Sequence, residues 1–274
     1  MSADHPALEL RSDLAAAWAG RDPFEAALGQ TGTVYRDQDQ RRTLRFEAAG
    51  RAYFLKVHRG VGWCEIAKNL VRGRVPILGA ATELRAVRTL ERLGIATLTV
   101  AGFGSKGANP ARRVSFLVTD ALDGCPSLED VARDWHVCRP APKDRHALIK
   151  AVAAIVAALH AGGVQHRDLY LCHFLLRAAA DKPRLVVIDL HRARCYRSLP
   201  QSARAKDLGA LWSSALDRGL GRVDLLRFFA CYVGARGAAL RVAIAREAGM
   251  LAAARCRARR IHKRERARSG VRTL

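Results

Sequence analysis

His166-Arg167-Asp168-Leu169-Tyr170-Leu171-Cys172-His173 is the stretch on which this chain turns. Before it, Asp144 to Leu159 sets Leu148, Val152, Ile155, Val156 and Leu159 on one face of a helical repeat, and Gly162-Gly163 stops that helix. After it come the apolar Phe174-Leu175-Leu176, a turn, and Leu185-Val186-Val187-Ile188-Asp189. That last run reads as a buried strand that delivers a carboxylate at its end. The order is helix, His-Arg-Asp loop, short strand, turn, strand, Asp.

The catalytic loop and the later metal-binding Asp of protein kinases stand in this arrangement, and the stretch resembles them. Phosphoryl transfer needs a carboxylate that orients or accepts the proton of the attacking hydroxyl, and Asp168 is the candidate. It needs a second carboxylate to hold Mg²⁺ against the phosphates, and Asp189 is the candidate. His166 and Arg167 would support the loop. A surface loop with an ordinary charged pair is the competing reading, and the ordered elements on either side count against it. Protein kinases carry Asn five residues after the Asp, whereas His173 stands here. Mg²⁺ prefers oxygen, so His173 either touches phosphate, binds metal weakly or braces the loop. A zinc site built on His166, Cys172 and His173 is a poor fit, because neighbouring Cys and His cannot easily close on one ion and no C-x-x-C or H-x₃-H partner follows.

The chain has 274 residues, 50% of them apolar, enough for two lobes with real cores. Its net charge of +22 implies an anionic partner: nucleic acid, an anionic membrane surface or a polyanionic substrate. The 7 cysteines are scattered and odd in number, which suits a reducing compartment rather than a disulfide framework. Met1 to Leu10 lacks the apolar core of a signal peptide, and the apolar run Ala151 to Leu159 is far short of the ~20 residues of a membrane span. A cytoplasmic protein that meets a membrane only from its surface is expected.

Residues 1–28 read as a peripheral helical extension, with Leu8, Leu14, Trp18 and Phe24 available for packing. Gly29-Gln30-Thr31-Gly32-Thr33-Val34-Tyr35 looks like the end of a Gly-rich phosphate loop, making Gly29 and Gly32 candidate ATP contacts. The first glycine of that pattern would fall at Ala27, and an ordinary turn is the competing reading. Thr43 to Phe46 and Ala52 to Val57 alternate across Ala49-Gly50 as a β-hairpin. Lys56 lies inside its second strand, where a charge is costly unless paired. Such a Lys grips the α- and β-phosphates in kinases, and Glu83 is its candidate partner on a helix from Gly79 to Leu93, with Glu91 second. Between the two, His58, Arg59, Lys68 and Arg72 are candidate anion contacts, on and before a helix from Glu65 to Arg72; a solvated basic face is the alternative.

Ala96 to Phe103 and Val114 to Thr119 read as strands, and Asp120 to Gly124 as the connection between lobes. Asp207 opens the apolar face of a helix from Ala203 to Leu216 and either hydrogen-bonds the catalytic loop or caps the helix dipole. Further helices run from Val223 to Val233 and Gly237 to Met250. The basic tail, dense from Arg255 to Arg268, either lies on anionic headgroups or is a solvated end. The expected class is α+β, a protein-kinase-like two-lobe fold: extension 1–28, β-rich lobe 29–120, helical lobe 121–250 and basic tail 251–274.

With these residues in view, Val34 to Gly234 resembles the lipopolysaccharide core heptose kinases, the Kdo/WaaP family of Gram-negative bacteria. The resemblance rests on Lys56 to Trp63, Glu65 to Leu70, Val75 to Ala80, His166 to Leu176 and Val187 to Ala193. His173 belongs to the family pattern. The resemblance implies transfer of the γ-phosphate of ATP, with Mg²⁺, to O-4 of the first heptose of the inner core. It implies action at the cytoplasmic face of the inner membrane, on an intermediate built on lipid A. Some members are linked to acyl carrier protein, a small acidic partner. A dense polyanion at a membrane is the substrate that a strongly positive enzyme would attract. Two alternatives remain open at this point: a kinase of the same fold acting on Kdo or on protein tyrosine, and a nucleic-acid-binding protein on an inactive kinase scaffold. The intact Lys56, Asp168 and Asp189 weigh against the second, and no specific nucleic acid is expected.

Overall fold

The computed structural model describes residues 7–38, 40–71, 79–178, 183–216 and 218–270, the side chains of 65, 69 and 268–270 excepted. Arg72, Arg74 and Val75 to Leu78 lie outside the described residues. The chain divides into two compact units, Met1–Arg88 with Leu98–Asp123, and Thr89–Thr97 with Gly124–Leu274.

The first unit runs β1 (Leu8–Leu10), α1 (Ser12–Ala17), α2 (Pro23–Gly29), β2 (Thr33–Gln38), β3 (Arg41–Ala48), β4 (Arg51–His58), α3 (Gly62–Val71), α4 (Ala81–Arg92, its last turn grouped with the second unit), β5 (Val100–Lys106) and β6 (Val114–Asp120). The strands form one antiparallel sheet in the order β1-β5-β6-β4-β3-β2. β6 and β4 are its central pair, and the hairpin β3–β4 is paired without slip from Arg41↔His58 to Ala48↔Arg51. Ala49 at φ 50° and Gly50 at φ 70° make the two-residue turn whose twist matches that of the strands.

Alternation sorts the sheet into two faces. Leu44, Phe46, Tyr53, Leu55 and Val57 turn to one side and form a core with Leu14, Trp18, Ala26 and Ala27 of α1 and α2. On the other side, Phe103 and Leu117 pack with Ala80 and with Leu84 of α4. Lys56 pairs across the ladder with Leu117 and shares this second face. The N-terminal extension is not all helix: Leu8–Leu10 adds an edge strand to β5. Glycine opens that edge, because a Cβ on Gly102 would lie 2.6 Å from Leu14 Cδ2 and 3.0 Å from Leu10 Cδ2.

The second unit runs α5 (Leu128–Val131), α6 (Pro142–Ala161), β7 (Val164–Gln165), a single 3-10 turn (Leu171–His173), β8 (Phe174–Arg177), β9 (Arg184–Val187), a second 3-10 turn (Leu190–Arg192), β10 (Arg194–Cys195), α7 (Gln201–Leu216), α8 (Arg222–Val233), α9 (Gly237–Arg246) and α10 (Ala248–Gly270). β8 and β9 pair antiparallel from Phe174↔Val187 to Arg177↔Arg184, and β10 pairs with β7. The loop between β7 and β8 is thereby pinned at both ends. α6 supplies Val152, Ala153, Val156 and Leu159 to the core beneath it.

The basic tail is not a frayed end. It is the long helix α10, which buries Met250, Ala254 and Ala258. It packs on α7 where Gly209 permits close approach: a Cβ there would lie 2.8 Å from the Ala254 carbonyl oxygen. The arginines alternate with small residues, so charge density hid a helix with a narrow apolar seam. Among the described residues no single helix is long and apolar enough to cross a membrane.

Candidate active site

In the first unit, Lys56 Nζ lies 2.6 Å from Glu83 Oε1. β4 places the lysine on the sheet face that α4 covers, and Glu83 sits in the first turn of α4. Glu83 is 1% exposed. A carboxylate so buried is tolerated because a cation meets it. The pair fixes the ammonium in the sheet rather than leaving it to wander on a four-carbon stem.

Three sequence expectations change here. Gly29 ends α2, which packs on the face of the sheet opposite to Lys56. Gly32 precedes β2, and its missing side chain serves packing: a Cβ would lie 2.1 Å from the Arg45 carbonyl oxygen. The turn between β2 and β3 falls after Gln38, with Gln40 at φ 66°, well beyond both glycines. Neither glycine forms a phosphate loop in this fold. His58 is 6% exposed, a strand residue facing the interior, and so is not a surface anion contact. Arg59 and Lys68 are exposed.

The second unit gathers the catalytic-loop residues. Asp207, fully buried on α7, accepts hydrogen bonds from the backbone N–H of His166 at 2.7 Å and of Arg167 at 2.9 Å. Of the two readings of Asp207, loop support is the one the geometry shows. Arg167 has φ 74° and Asp189 φ 61°, left-handed conformations that cost a non-glycine residue energy. Arg167 is held there by its backbone bond to Asp207, and both residues carry their strain at one site.

His173 links the two carboxylate-bearing segments. Its Nδ1 lies 2.6 Å from the Asp168 carbonyl oxygen, and its Nε2 lies 3.4 Å from Asp189 Oδ2. A carbonyl only accepts, so Nδ1 carries the hydrogen and the other ring nitrogen is turned toward Asp189. His166 stacks on His173 at 5.7 Å between centroids and donates from Nε2 to the Ile188 carbonyl at 3.0 Å. Burial holds the His166 imidazole below its ordinary range, so the ring is a neutral spacer.

Two contacts were not assigned from sequence. His191 Nδ1 lies 2.5 Å from Asp189 Oδ1. Arg192 Nη1 lies 2.8 Å and 3.0 Å from the two carboxylate oxygens of Asp168. Their signal was present in the string Leu190-His191-Arg192, which stands where protein kinases carry Phe-Gly. A further buried network was invisible in sequence. His160 Nε2 lies 3.6 Å from Asp207 Oδ2, Tyr232 Oη bonds His160 Nδ1 at 2.9 Å, and Arg204 joins Tyr232 at 2.9 Å and Glu247 at 3.3 Å.

The donor set can be tested against Mg²⁺. Among the described residues no three His, Cys, Asp or Glu side chains are grouped to cage a metal. Mg²⁺ with a nucleotide does not need a cage, because one or two carboxylates, phosphates and water complete its octahedron. Asp189 offers that carboxylate, with an imidazole nitrogen beside it, and the residues fit the ion in this mode.

A sheet unit with a buried strand Lys–helix Glu pair, and a helical unit with an Asp-bearing loop braced from α7 and a second Asp at a strand end, define a protein-kinase-like fold. The sequence profile of the lipopolysaccharide kinase (Kdo/WaaP) family matches residues 25–232. The chain is 47% identical over 252 residues to the lipopolysaccharide core heptose(I) kinase WaaP of Pseudomonas aeruginosa, covering 90% of this chain and 93% of that protein. It is 41% identical over 261 residues to the protein of the same name from Escherichia coli K12, covering 94% and 97%. A solved structure of WaaP in complex with acyl carrier protein matches with a TM-score of 0.80 at 43% identity, covering 93% of this chain and 99% of that one. The chain belongs to the lipopolysaccharide kinase (Kdo/WaaP) family.

Proposed function

We propose that the chain transfers the γ-phosphoryl group of ATP to the O-4 hydroxyl of the first heptose of the lipopolysaccharide inner core. The observation that carries this reading is the place of His173, hydrogen-bonded to the Asp168 carbonyl with its other ring nitrogen 3.4 Å from the Asp189 carboxylate, which sets the two segments side by side. Asp168 takes the proton of the heptose hydroxyl as its oxygen forms a bond to the γ-phosphorus and the bond to ADP breaks. Lys56, fixed by Glu83, steadies the α- and β-phosphates. Arg192 orients the Asp168 carboxylate. Asp189 would hold Mg²⁺, which when bound neutralises phosphate charge. Arg167 and Asp207 keep the loop rigid, so that positioning is settled before substrate arrives.

The acceptor intermediate is anionic and anchored in lipid, which suits a chain of net charge +22 working at the cytoplasmic face of the inner membrane. Acyl carrier protein is a proposed partner on the strength of the structural relative solved with it.

The test is transfer of labelled phosphate from ATP to core-truncated lipopolysaccharide ending at unphosphorylated heptose, wild type beside Asp168→Ala. Label on the sugar that disappears in the variant is the expected result. Label on Kdo or on protein tyrosine instead would overturn the acceptor, and absence of any transfer would overturn the kinase.

A further inference from the structure

We propose that α3 is a membrane-docking helix whose outward apolar face inserts into the headgroup region of an anionic phospholipid bilayer. The argument begins with helical spacing. At about 100° per residue, Ile66, Leu70, Trp63, Ala67 and Val71 fall on one contiguous arc of Gly62–Val71. An apolar arc on a surface helix normally faces the core. Here only its edge does. Ile66 is 7% exposed, whereas Trp63 is 60% exposed, Leu70 61% and Val71 88%. The helix enters from the turn at Gly60 to Gly62, and among the described side chains of the arc Ile66 is the buried one while Trp63, Leu70 and Val71 face outward.

That entry turn is rigid. Gly60 has φ 90°, and a Cβ there would lie 2.6 Å from the Ala111 carbonyl oxygen. The backbone N–H of Gly62 donates to that same carbonyl at 3.0 Å. The start of the helix is therefore fixed by the fold.

The chemistry of the face selects a lipid surface among the partners that take apolar groups. Trp is the side chain that sits best at a bilayer interface, with an apolar body and a polar N–H. Two exposed cations stand near it, Arg59 just before the helix and Lys68 beside the arc, with Glu65 the one acidic residue of the helix. The chain as a whole carries +22. A short amphipathic helix with Trp and Leu on one side and basic residues alongside binds in the plane of an anionic interface, by burial and attraction together. The inference rests on the membrane-facing part of the proposed function and deepens it, and vesicle binding is read separately from transfer.

The full chain is mixed with vesicles of phosphatidylglycerol and phosphatidylcholine, and with phosphatidylcholine alone, and pelleting is measured with tryptophan emission. Wild type is expected to pellet with the anionic vesicles, with a blue-shifted emission. The double variant Trp63→Ser/Leu70→Ser is expected to bind at least about 10-fold more weakly. It should retain its melting temperature and its transfer rate on a delipidated, soluble acceptor. Equal binding by the variant would overturn the proposal, because another surface would then be responsible. Failure of wild type to bind would overturn it too; if acyl carrier protein then shields Trp63 from a quencher, the face belongs to a protein partner. Absence of transfer by the wild type on either acceptor, with vesicle binding intact, would overturn the kinase reading and leave the docking helix standing.

Discussion

One guanidinium nitrogen of Arg192 spans both carboxylate oxygens of Asp168, at 2.8 Å and 3.0 Å. The contact leaves half of the carboxylate's lone pairs free, since each oxygen can accept twice. Arg192 can therefore orient Asp168 without blocking the hydroxyl that must approach it. The Arg192 carbonyl in turn accepts from Arg167 Nη1 at 3.5 Å, which ties the turn Leu190–Arg192 to the loop. Replacing Arg192 by Ala should lower kcat by roughly 10- to 100-fold with little change in the KM for ATP, as expected for a misplaced general base. Lys should restore little, because an ammonium is a point charge that does not reproduce the guanidinium geometry. Added guanidinium salt should recover part of the Ala variant's kcat. Steady-state kinetics check each statement.

Asp207 meets two backbone donors with its two oxygens. In Asp207→Ala both N–H groups lose their acceptor inside the protein, at about 1–3 kcal/mol each. We expect a fall in unfolding free energy of about 2–4 kcal/mol. The left-handed Arg167 would relax once unpinned, so kcat should fall further than stability explains. Asp207→Asn retains one acceptor and should lie between Ala and wild type in both readings. Urea unfolding and kcat at a temperature where all variants are folded separate the two effects.

These cases show what was legible in the sequence. The hairpin β3–β4 was, because alternation and the Ala49-Gly50 turn are local signals. Lys56 and Glu83 were as well, since a charge inside an apolar strand demands a partner and Glu83 opens the apolar-faced helix from Gly79 to Leu93 read from the sequence. The network behind Asp207 was not, because His160 on α6, Tyr232 on α8 and Glu247 in the turn after α9 are joined only by tertiary packing. The strand Leu8–Leu10 was missed because three residues carry no periodicity, and its place depends on a distant glycine edge at Gly102. Gly29 and Gly32 were misread because spacing alone does not say which face of a sheet a loop reaches.

The Lys56–Glu83 pair predicts a separation of stability from activity. Lys56→Met leaves the Glu83 carboxylate buried without that cation, and breaking a buried pair in this way costs about 3 kcal/mol. Transfer activity should fall by at least about 100-fold as the phosphate grip is lost. The double variant Lys56→Met/Glu83→Gln removes the stranded charge. It should regain much of the stability and none of the activity, so the two substitutions will be strongly non-additive in unfolding free energy. Additive unfolding energies would show that the pair is not coupled.

Arg11 clips the N-terminal segment to the sheet. It bonds Asp13 with Nε and Nη2, both at 2.8 Å, and reaches Asp120 at 2.6 Å, while Tyr53 donates its hydroxyl to Asp13 at 2.8 Å. Hydrogen bonds from Arg11, and then from Tyr53, hold the Asp13 carboxyl well below the usual carboxylate range despite partial burial. A carboxyl whose pKa is lower folded than unfolded stabilises the fold above its unfolded value, near ~3.9, and that contribution is lost as pH falls toward the folded value. Arg11→Gln removes the main donor and brings the two values closer together. Wild type should therefore be more stable than Arg11→Gln at neutral pH, by a margin that stays level down to about pH 5 and shrinks below about pH 4. Thermal melts across that range measure the margin. A margin that grows on acidification would mean that Asp13 is not the group Arg11 stabilises.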